Sequence, residues 1–137
     1  MGRRLRVGVP ALLTVLALSV GSIACGSEGG GGDSVPEGTS DAGNRGRELV
    51  LRSGCLGCHS VDGSSKSGPT WQGLAGSQVT LSDGRTVVAD DAYLAKAIAE
   101  PKAEGPAGFP MIMPEYVQLT EQDVADIVAY IKELPTE

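Results

Sequence analysis

The chain has 137 residues, a length that suggests one domain with appended segments. Its 17 acidic and 11 basic residues give a formal net charge of −6, which argues against nucleic acid and anionic membrane surfaces as electrostatic partners. With one Trp, three Tyr and one Phe, the aromatic supply for a core is small, so we expect a cofactor, a metal or a disulfide to help stabilise the domain.

The first 24 residues have the features of a secretory signal peptide. Three arginines precede an apolar run, residues 7–24, that contains too many Gly, Pro and Ser residues for a well-packed membrane span. The run leads into "SIAC", which resembles the lipobox of bacterial lipoproteins, with Ser22 where leucine is more usual. We therefore predict export, removal of residues 1–24 and lipidation of Cys25. A soluble exported product and an uncleaved anchor are the alternatives.

Residues 25–40 are predicted to form the anchor cysteine and a flexible Gly/Ser/Glu linker, which is about 20 Å long on average. Loss of residues 1–24 removes three of the 11 basic residues and no acidic one, so eight basic and 17 acidic residues remain and the net charge becomes −9. This charge favours a basic docking face on a partner protein. The alternative is a soluble, self-repelling surface without a specific electrostatic partner.

The rest of the chain, residues 41–137, is predicted to be one mainly helical domain. Residues 41–54 predict a helix of about three turns, and residues 79–88 alternate around an Asp-Gly pair that predicts a small hairpin. Residues 90–101 and 120–135 predict two further helices, each ended by proline. The intervening segments are rich in Gly, Ser and Pro and are predicted to be loops.

Two of the predicted helices begin with capping signals. Asp41 is a possible cap of the first helix, and Thr120 with Asp123 forms a pair like a capping box at the start of the last helix. Apolar residues then follow at helical spacing, namely Val124, Ile127, Val128 and Ile131. The last helix is therefore predicted to bury one face.

The residues with the clearest chemistry are in "SGCLGCHSVDG", residues 53–63. Cys55, Cys58 and His59, the only histidine in the chain, form the pattern C-x-x-C-H. A structural zinc site would need a fourth ligand, and a thioredoxin-like pair would lie at a helix N-terminus after a strand. The pattern instead favours covalent haem attachment, in which two thiols bind the vinyl groups and the next histidine lies beneath the iron. The predicted export agrees with this.

A second axial ligand would come from elsewhere in the chain, and no second histidine exists. Apart from Met1, the available methionines are Met111 and Met113 in "FPMIMPEY". Met113 is favoured because the proline after it makes the loop more rigid. Met111 remains an alternative, as does simple packing of both methionines on the haem edge.

"CLGCH", "GPTWQGL", "MPEY" and the closing amphipathic helix together resemble class I monohaem cytochromes c. With "VTLSDG" and "DAYL", the chain is most similar to the cytochrome c domain fused to subunit II of some haem–copper (cytochrome c) oxidases. The resemblance covers residues 44–134. It implies an all-α fold, with three main helices around a covalently bound haem and a small β-hairpin insertion at about residues 79–88.

The resemblance also implies roles for individual residues. Cys55 and Cys58 would form the thioethers, His59 would be the proximal ligand and Met113 the distal one. The carbonyl of Pro69 would orient the histidine N–H.

Further roles concern packing and the haem propionates. Gly46 would let the first and last helices cross closely, with Tyr130 packed at the crossing. Trp71 and Arg85 are candidates for contacting a haem propionate, and the alternatives are core packing for Trp71 and a solvated turn for Arg85.

The chain departs from the family in one informative way. Subunit II carries a dinuclear copper site that needs further cysteines, histidines and a methionine upstream, and these are absent here.

The resemblance also implies a function. We expect an exported electron carrier, not an enzyme, lipid-anchored at Cys25 in the periplasm or on the outer face of the cytoplasmic membrane. It would carry electrons between respiratory or periplasmic redox partners, such as a terminal oxidase or its electron donor. The rivals are a haem enzyme or gas sensor with an open sixth position, and a structural haem subunit of a respiratory complex.

Overall fold

The computed structural model of the protein describes residues 34–136. The predicted signal peptide, residues 1–24, and Cys25 lie outside this range. Among residues 34–136, no helix combines the length and apolar character needed to cross a membrane.

Three helices, a short 3₁₀ turn and a two-stranded hairpin make up the regular structure. In chain order these are α1 (Asp41–Arg52), the 3₁₀ turn (Cys55–Gly57), β1 (Gln78–Thr80), β2 (Thr86–Val88), α2 (Asp91–Ala99) and α3 (Glu121–Glu133). The strands are antiparallel, and Val79 pairs with Val87. The predicted helical fold with one small hairpin is confirmed.

The N-terminal cap of α1 differs from the prediction. Ser40 has an extended backbone, and its side-chain oxygen accepts a hydrogen bond from the Gly43 N–H at 3.0 Å. Asp41 is already helical, so it is the first helical residue and Ser40 is the cap. The Asp41 carboxylate still lies in the first turn, where the helix dipole favours negative charge.

The predicted capping box of α3 is confirmed. The Thr120 hydroxyl oxygen accepts from the Asp123 N–H at 3.1 Å, and the Asp123 carboxylate accepts from the Thr120 N–H at 2.9 Å. Aspartate therefore replaces the usual glutamate without loss of either hydrogen bond. The capping box therefore satisfies two backbone donors at the start of the helix.

The crossing of α1 and α3 forms the centre of the core. Gly46 is buried there, and a Cβ at this position would collide with the carbonyl of Asp126 and meet the Cβ of Tyr130. Glycine therefore permits the close approach of the helices, as predicted. The buried hydrophobic residues around the crossing are Leu49, Val50, Val61, Trp71, Ala89, Leu94, Ile98, Val124, Ile127, Val128, Tyr130, Ile131 and Leu134.

The chain before α1 packs onto this crossing. The buried Tyr130 donates its hydroxyl hydrogen to the Pro36 carbonyl at 2.9 Å, and Arg47 Nε donates to the same carbonyl at 3.0 Å. Glu133 accepts from the Thr39 N–H at 2.6 Å. Val35 also packs against the core, so the packed chain starts six residues before the predicted boundary at residue 41.

The hairpin is fastened to the segment that follows α2. Leu81 is buried and pairs with Pro106 in an isolated bridge. The Ser82 N–H donates to the Gly105 carbonyl at 2.9 Å, and the Ala107 N–H donates to the Thr80 carbonyl at 2.8 Å. The hairpin therefore holds the beginning of the loop that contains both candidate methionines.

Candidate functional site

A cavity of about 460 Å³ is lined by the loops, the hairpin and α2. Five predicted site residues line it together, namely Cys55, Cys58, His59, Pro69 and Met113. The volume lies within the range of about 300–1,000 Å³ that is usual for small-molecule and cofactor sites. Most of the other lining side chains are apolar.

The end of α1 places the C-x-x-C-H motif at this cavity. Gly54 has a φ of +72° and ends the helix in the left-handed region that glycine adopts easily. In the 3₁₀ turn that follows, the N–H groups of Cys58 and His59 both donate to the Cys55 carbonyl, at 3.1 and 3.0 Å. The turn therefore gathers the two thiols and the imidazole within five residues.

The His59 imidazole has a defined tautomer. Its Nδ1 lies 2.8 Å from the Pro69 carbonyl oxygen, which can only accept, so Nδ1 carries the hydrogen and donates it. Nε2 then keeps a free lone pair for a metal. Burial lowers the pKa of His59 below its ordinary value, although the hydrogen bond to Pro69 opposes this. A neutral imidazole is the form that a metal binds.

Two residues of the following loop hold this imidazole in place. The Trp71 ring is buried and stacks on it, with centroids 4.9 Å apart and planes 23° apart. A Cβ at Gly68 would come within 2.7 Å of the His59 ring carbon Cε1 and 2.9 Å of Nδ1. The Gly68 N–H also donates to the Cys58 carbonyl at 2.8 Å. The sequence analysis did not predict this role of Gly68. The feature that could have indicated it is the "GP" pair, Gly68 and Pro69, at the start of "GPTWQGL".

The two cysteines of the motif differ in exposure. Cys55 is half-buried and Cys58 is exposed, and they are not joined in a disulfide. Burial raises the pKa of the Cys55 thiol. Between residues 34 and 136, no group of three or more His, Cys, Asp and Glu side chains is arranged as a candidate metal site.

The two candidate methionines both line the cavity but differ in exposure. Met113 is half-buried, whereas Met111 is 42% exposed. The Met111 sulfur packs against Gly105, where a Cβ would collide with it. Packing of this kind is one of the roles expected for a methionine that is not a ligand.

The other two candidates, Trp71 and Arg85, have different surroundings. Trp71 belongs to the core, as the alternative prediction had it. The Arg85 guanidinium is bound by two carboxylates, Asp83 at 2.7 Å and Glu104 at 2.9 Å. It is 59% exposed in the hairpin turn, so the solvated-turn alternative describes it better than a propionate contact does.

The residues at the cavity fit haem c. Two thiols with the required spacing, an imidazole with a free Nε2 and a methionine line one mostly apolar cavity of suitable size. These are the features of a c-type haem protein. The chain belongs to the cytochrome c family, because the family model described as "Cytochrome c" matches residues 43–135.

A similar protein supports the more specific resemblance. The chain is 29% identical over 105 residues to the "Cytochrome c oxidase subunit 2" of Alkalihalophilus pseudofirmus. The match covers 73% of this chain and 28% of that relative, so the chain spans well under half of the relative's length. The resemblance to a class I cytochrome c of the oxidase-fused type is therefore confirmed. So is the prediction of covalent haem c as the cofactor.

Proposed function

We propose that the protein is an exported, lipid-anchored cytochrome with a single haem c that carries single electrons between respiratory or periplasmic redox partners. The observation that carries this proposal is the shared cavity, which Cys55, Cys58, His59 and Met113 all line. Two thiols for attachment and two different axial donors suit a carrier, because a fully ligated iron leaves no open position for a substrate.

Each residue has a proposed role. Cys55 and Cys58 form the thioethers, and His59 Nε2 and the Met113 sulfur are the axial ligands. The Pro69 carbonyl holds the His59 N–H, which fixes the ring orientation and makes the imidazole a stronger donor. Bound haem supplies a one-electron iron couple, and ligation by His and Met raises its potential.

The loop around Met113 offers a contact surface for a redox partner. Phe109, Met111 and Ile112 are exposed apolar residues that line the cavity, and Val117, further along the loop, is 90% exposed. A concentration of exposed apolar residues is typical of interaction sites. Small contact surfaces also suit transient electron-transfer complexes.

The charges of this chain indicate which charges a partner would carry around its own contact area. Seven of the eight basic residues between positions 34 and 136 pair with a carboxylate. The eighth, Lys66, donates to the Leu56 carbonyl. With a net charge of −9 after loss of residues 1–24 and with these cations engaged, the chain complements a basic partner. We therefore propose a redox protein with a basic rim around an apolar contact.

The N-terminal segment supports attachment through a short tether. If Cys25 is lipidated, nine residues separate it from Val35, which packs against the core. A flexible chain of that length spans about 16 Å on average. The domain would then work close to the outer face of the cytoplasmic membrane. Intact mass of the mature protein tests this, because lipidation adds acyl chains to Cys25 and signal-peptide cleavage removes residues 1–24.

A terminal oxidase, or the donor of one, is the proposed partner. This part of the proposal rests on the similarity to an oxidase subunit 2. The chain covers only part of that relative, so the partnership has to be tested by electron exchange with a purified oxidase. Rapid transfer would support it, and transfer no faster than with an unrelated acceptor would contradict it.

The carrier function is tested on the haem-loaded protein. We expect a reversible one-electron redox titration, a low-spin spectrum in both states and no binding of carbon monoxide to the ferrous form at neutral pH. Ready binding of carbon monoxide would instead favour an enzyme or a gas sensor. A low potential with no electron exchange would favour a structural haem subunit.

The charge complementarity has its own test with small redox reagents. Oxidation by a cationic cobalt complex should slow as salt is added, because screening removes the attraction to the acidic surface. Oxidation by the anionic ferricyanide should accelerate under the same conditions. Equal salt effects with both reagents would contradict electrostatic steering.

A further inference from the structure

Glu104 is a half-buried carboxylate at the wall of the cavity. Its two oxygens accept hydrogen bonds from different cations, Arg85 Nη2 at 2.9 Å and Lys96 Nζ at 2.9 Å. The Glu104 side chain is 19% exposed, whereas the paired carboxylates Glu115 and Asp91 are 51% and 69% exposed. Hydrogen bonds from Lys96 and then Arg85 lower the pKa of Glu104, so the carboxylate stays ionised.

The three residues come from three separate segments. Arg85 is in the hairpin turn, where Asp83 fixes it by accepting from its Nε at 2.7 Å and from its backbone N–H at 3.0 Å. Lys96 is in the last turn of α2, and Glu104 lies in the first part of the loop that follows α2. Glu104 therefore joins the hairpin to α2 at the point where the methionine loop starts.

The backbone next to Glu104 is fixed by the same hairpin. Gly105 and Ala107 exchange hydrogen bonds with Ser82 and Thr80, and Leu81 pairs with Pro106.

Beyond this point and up to Met113, the backbone hydrogen bonds of the loop stay within the loop and do not reach the hairpin. Its backbone bonds up to Met113 run from Phe109 to Pro106 at 3.4 Å and from Ile112 to Pro110 at 2.9 Å. A weak thioether ligand in such a loop depends on how firmly the loop is held at its start, because ordering the loop has an entropic cost.

We propose that Glu104 is a positioning residue for Met113. By holding Arg85 and Lys96 together, it fixes the start of the loop and keeps the methionine sulfur at the cavity. This inference rests on the proposed role of Met113 as the distal ligand. We call Arg85, Lys96 and Glu104 together the Glu104 clamp, to which the Arg85 guanidinium contributes one hydrogen bond.

The experiment measures how well imidazole displaces the methionine from the oxidised, haem-loaded protein. In Glu104→Ala, we expect imidazole to bind about tenfold more tightly. The reason is that in a smaller fraction of the molecules the loop would hold Met113 in the position where it can act as a ligand. The methionine–iron charge-transfer band should weaken in parallel. Arg85→Ala should act in the same direction, and the double variant should change no more than the stronger single variant.

The matched control is Asp91→Asn, which removes the exposed ion pair with Lys132 at 2.8 Å. It breaks an ion pair of α2 that does not involve the loop start, so imidazole affinity should stay as in the unaltered protein. Glu104→Gln keeps the shape of the side chain and removes its charge. It should increase imidazole affinity less than Glu104→Ala, and it serves as the test variant if the alanine variant does not fold.

Three results would overturn or redirect the proposal. Lower thermal stability of the Glu104 variants with unchanged imidazole affinity and an unchanged band would make Glu104 a structural residue only. A shifted reduction potential with unchanged imidazole affinity would mean that Glu104 acts by charge alone. If Met113→Ala keeps the methionine–iron charge-transfer band, Met113 is not the ligand, and the proposed positioning role of Glu104 fails with that assignment.

Discussion

The crossing of α1 and α3 and the wall of the cavity are built in different ways. At the crossing, regular helices satisfy their own backbone groups, and Gly46 lets the apolar faces meet directly. At the cavity wall, irregular loops are held by individual hydrogen bonds, such as those from Gly68 to Cys58 and from Trp71 to Ser60. We therefore expect the helix crossing to be stabilised by its own packing, and the loops that line the cavity to depend more strongly on the cofactor.

The largest expected effect comes from preventing haem attachment with a Cys55→Ser/Cys58→Ser variant. Without the haem, the mostly apolar lining of this cavity loses its packing partner and faces water, so we expect the variant to lose most of its stability. We expect hydrogen exchange to be fast throughout the loops 61–76 and 102–119. Any remaining protection should be confined to α1 and α3. Equal protection of loops and helices would contradict the difference between the two regions.

A methyl group at the crossing should have the next largest effect. Gly46→Ala improves helix propensity, yet its Cβ would collide with the Asp126 carbonyl, so we expect a net loss of about 2–3 kcal/mol in unfolding free energy. Denaturant unfolding of the haem-loaded protein measures this. Asn44→Ala, at an exposed position of the same helix, is the control and should be neutral or stabilising. A stable Gly46→Ala protein would mean that the helices can separate without penalty.

Acid should weaken the crossing through Asp126. Arg45 donates to both of its carboxylate oxygens, at 2.7 and 2.9 Å, and thereby lowers the pKa of Asp126 below its ordinary value of 3.8. The carboxylate therefore contributes stability above about pH 3.8, and this is lost as the pH falls through the lowered pKa. Asp126→Asn should lose about 1–2 kcal/mol at neutral pH, since Arg45 is largely exposed.

The pH dependence is checked by unfolding both proteins between neutral pH and pH 2. The difference in unfolding free energy between the Asp126→Asn variant and the unaltered protein should shrink as the pH falls. A difference that stays constant with pH would show that the ionised form of Asp126 contributes nothing specific.

The smallest effect concerns the segment that leads into α1. Tyr130→Phe removes the 2.9 Å hydrogen bond to the Pro36 carbonyl, and we expect a loss of about 1 kcal/mol. Amide exchange at Thr39 and Ser40 should become faster, because the segment is then held mainly by Arg47 and Glu133. Unchanged exchange there would mean that the tyrosine hydroxyl does not help to fasten the segment.

Local patterns in the sequence were sufficient for most of the fold. The periodicity of residues 120–135 and the Asp-Gly turn predicted α3 and the hairpin, because these signals lie within one element. The cap at Ser40 was missed by one residue, since side-chain type cannot distinguish two adjacent capping residues. The packing of Val35 and Pro36 was also missed, because it depends on contacts with Tyr130, far away in the chain.

The site was predictable to the extent that its chemistry is local. The C-x-x-C-H motif is contiguous, whereas Pro69 as the partner of His59 came only from the family resemblance. The Gly68 contact and the Glu104 clamp involve residues whose proximity exists only in the folded chain. The roles of Met113 and of Cys25 stay predictions.

His59 and Met113 are the two proposed axial ligands of a haem in this cavity. The most direct measurement is the optical spectrum of the oxidised, haem-loaded protein, compared with Met113→Ala and Met111→Ala. We expect a low-spin spectrum with a methionine–iron charge-transfer band that is lost in Met113→Ala and kept in Met111→Ala. A high-spin spectrum of the unaltered protein, or a band that survives in Met113→Ala, would contradict the account.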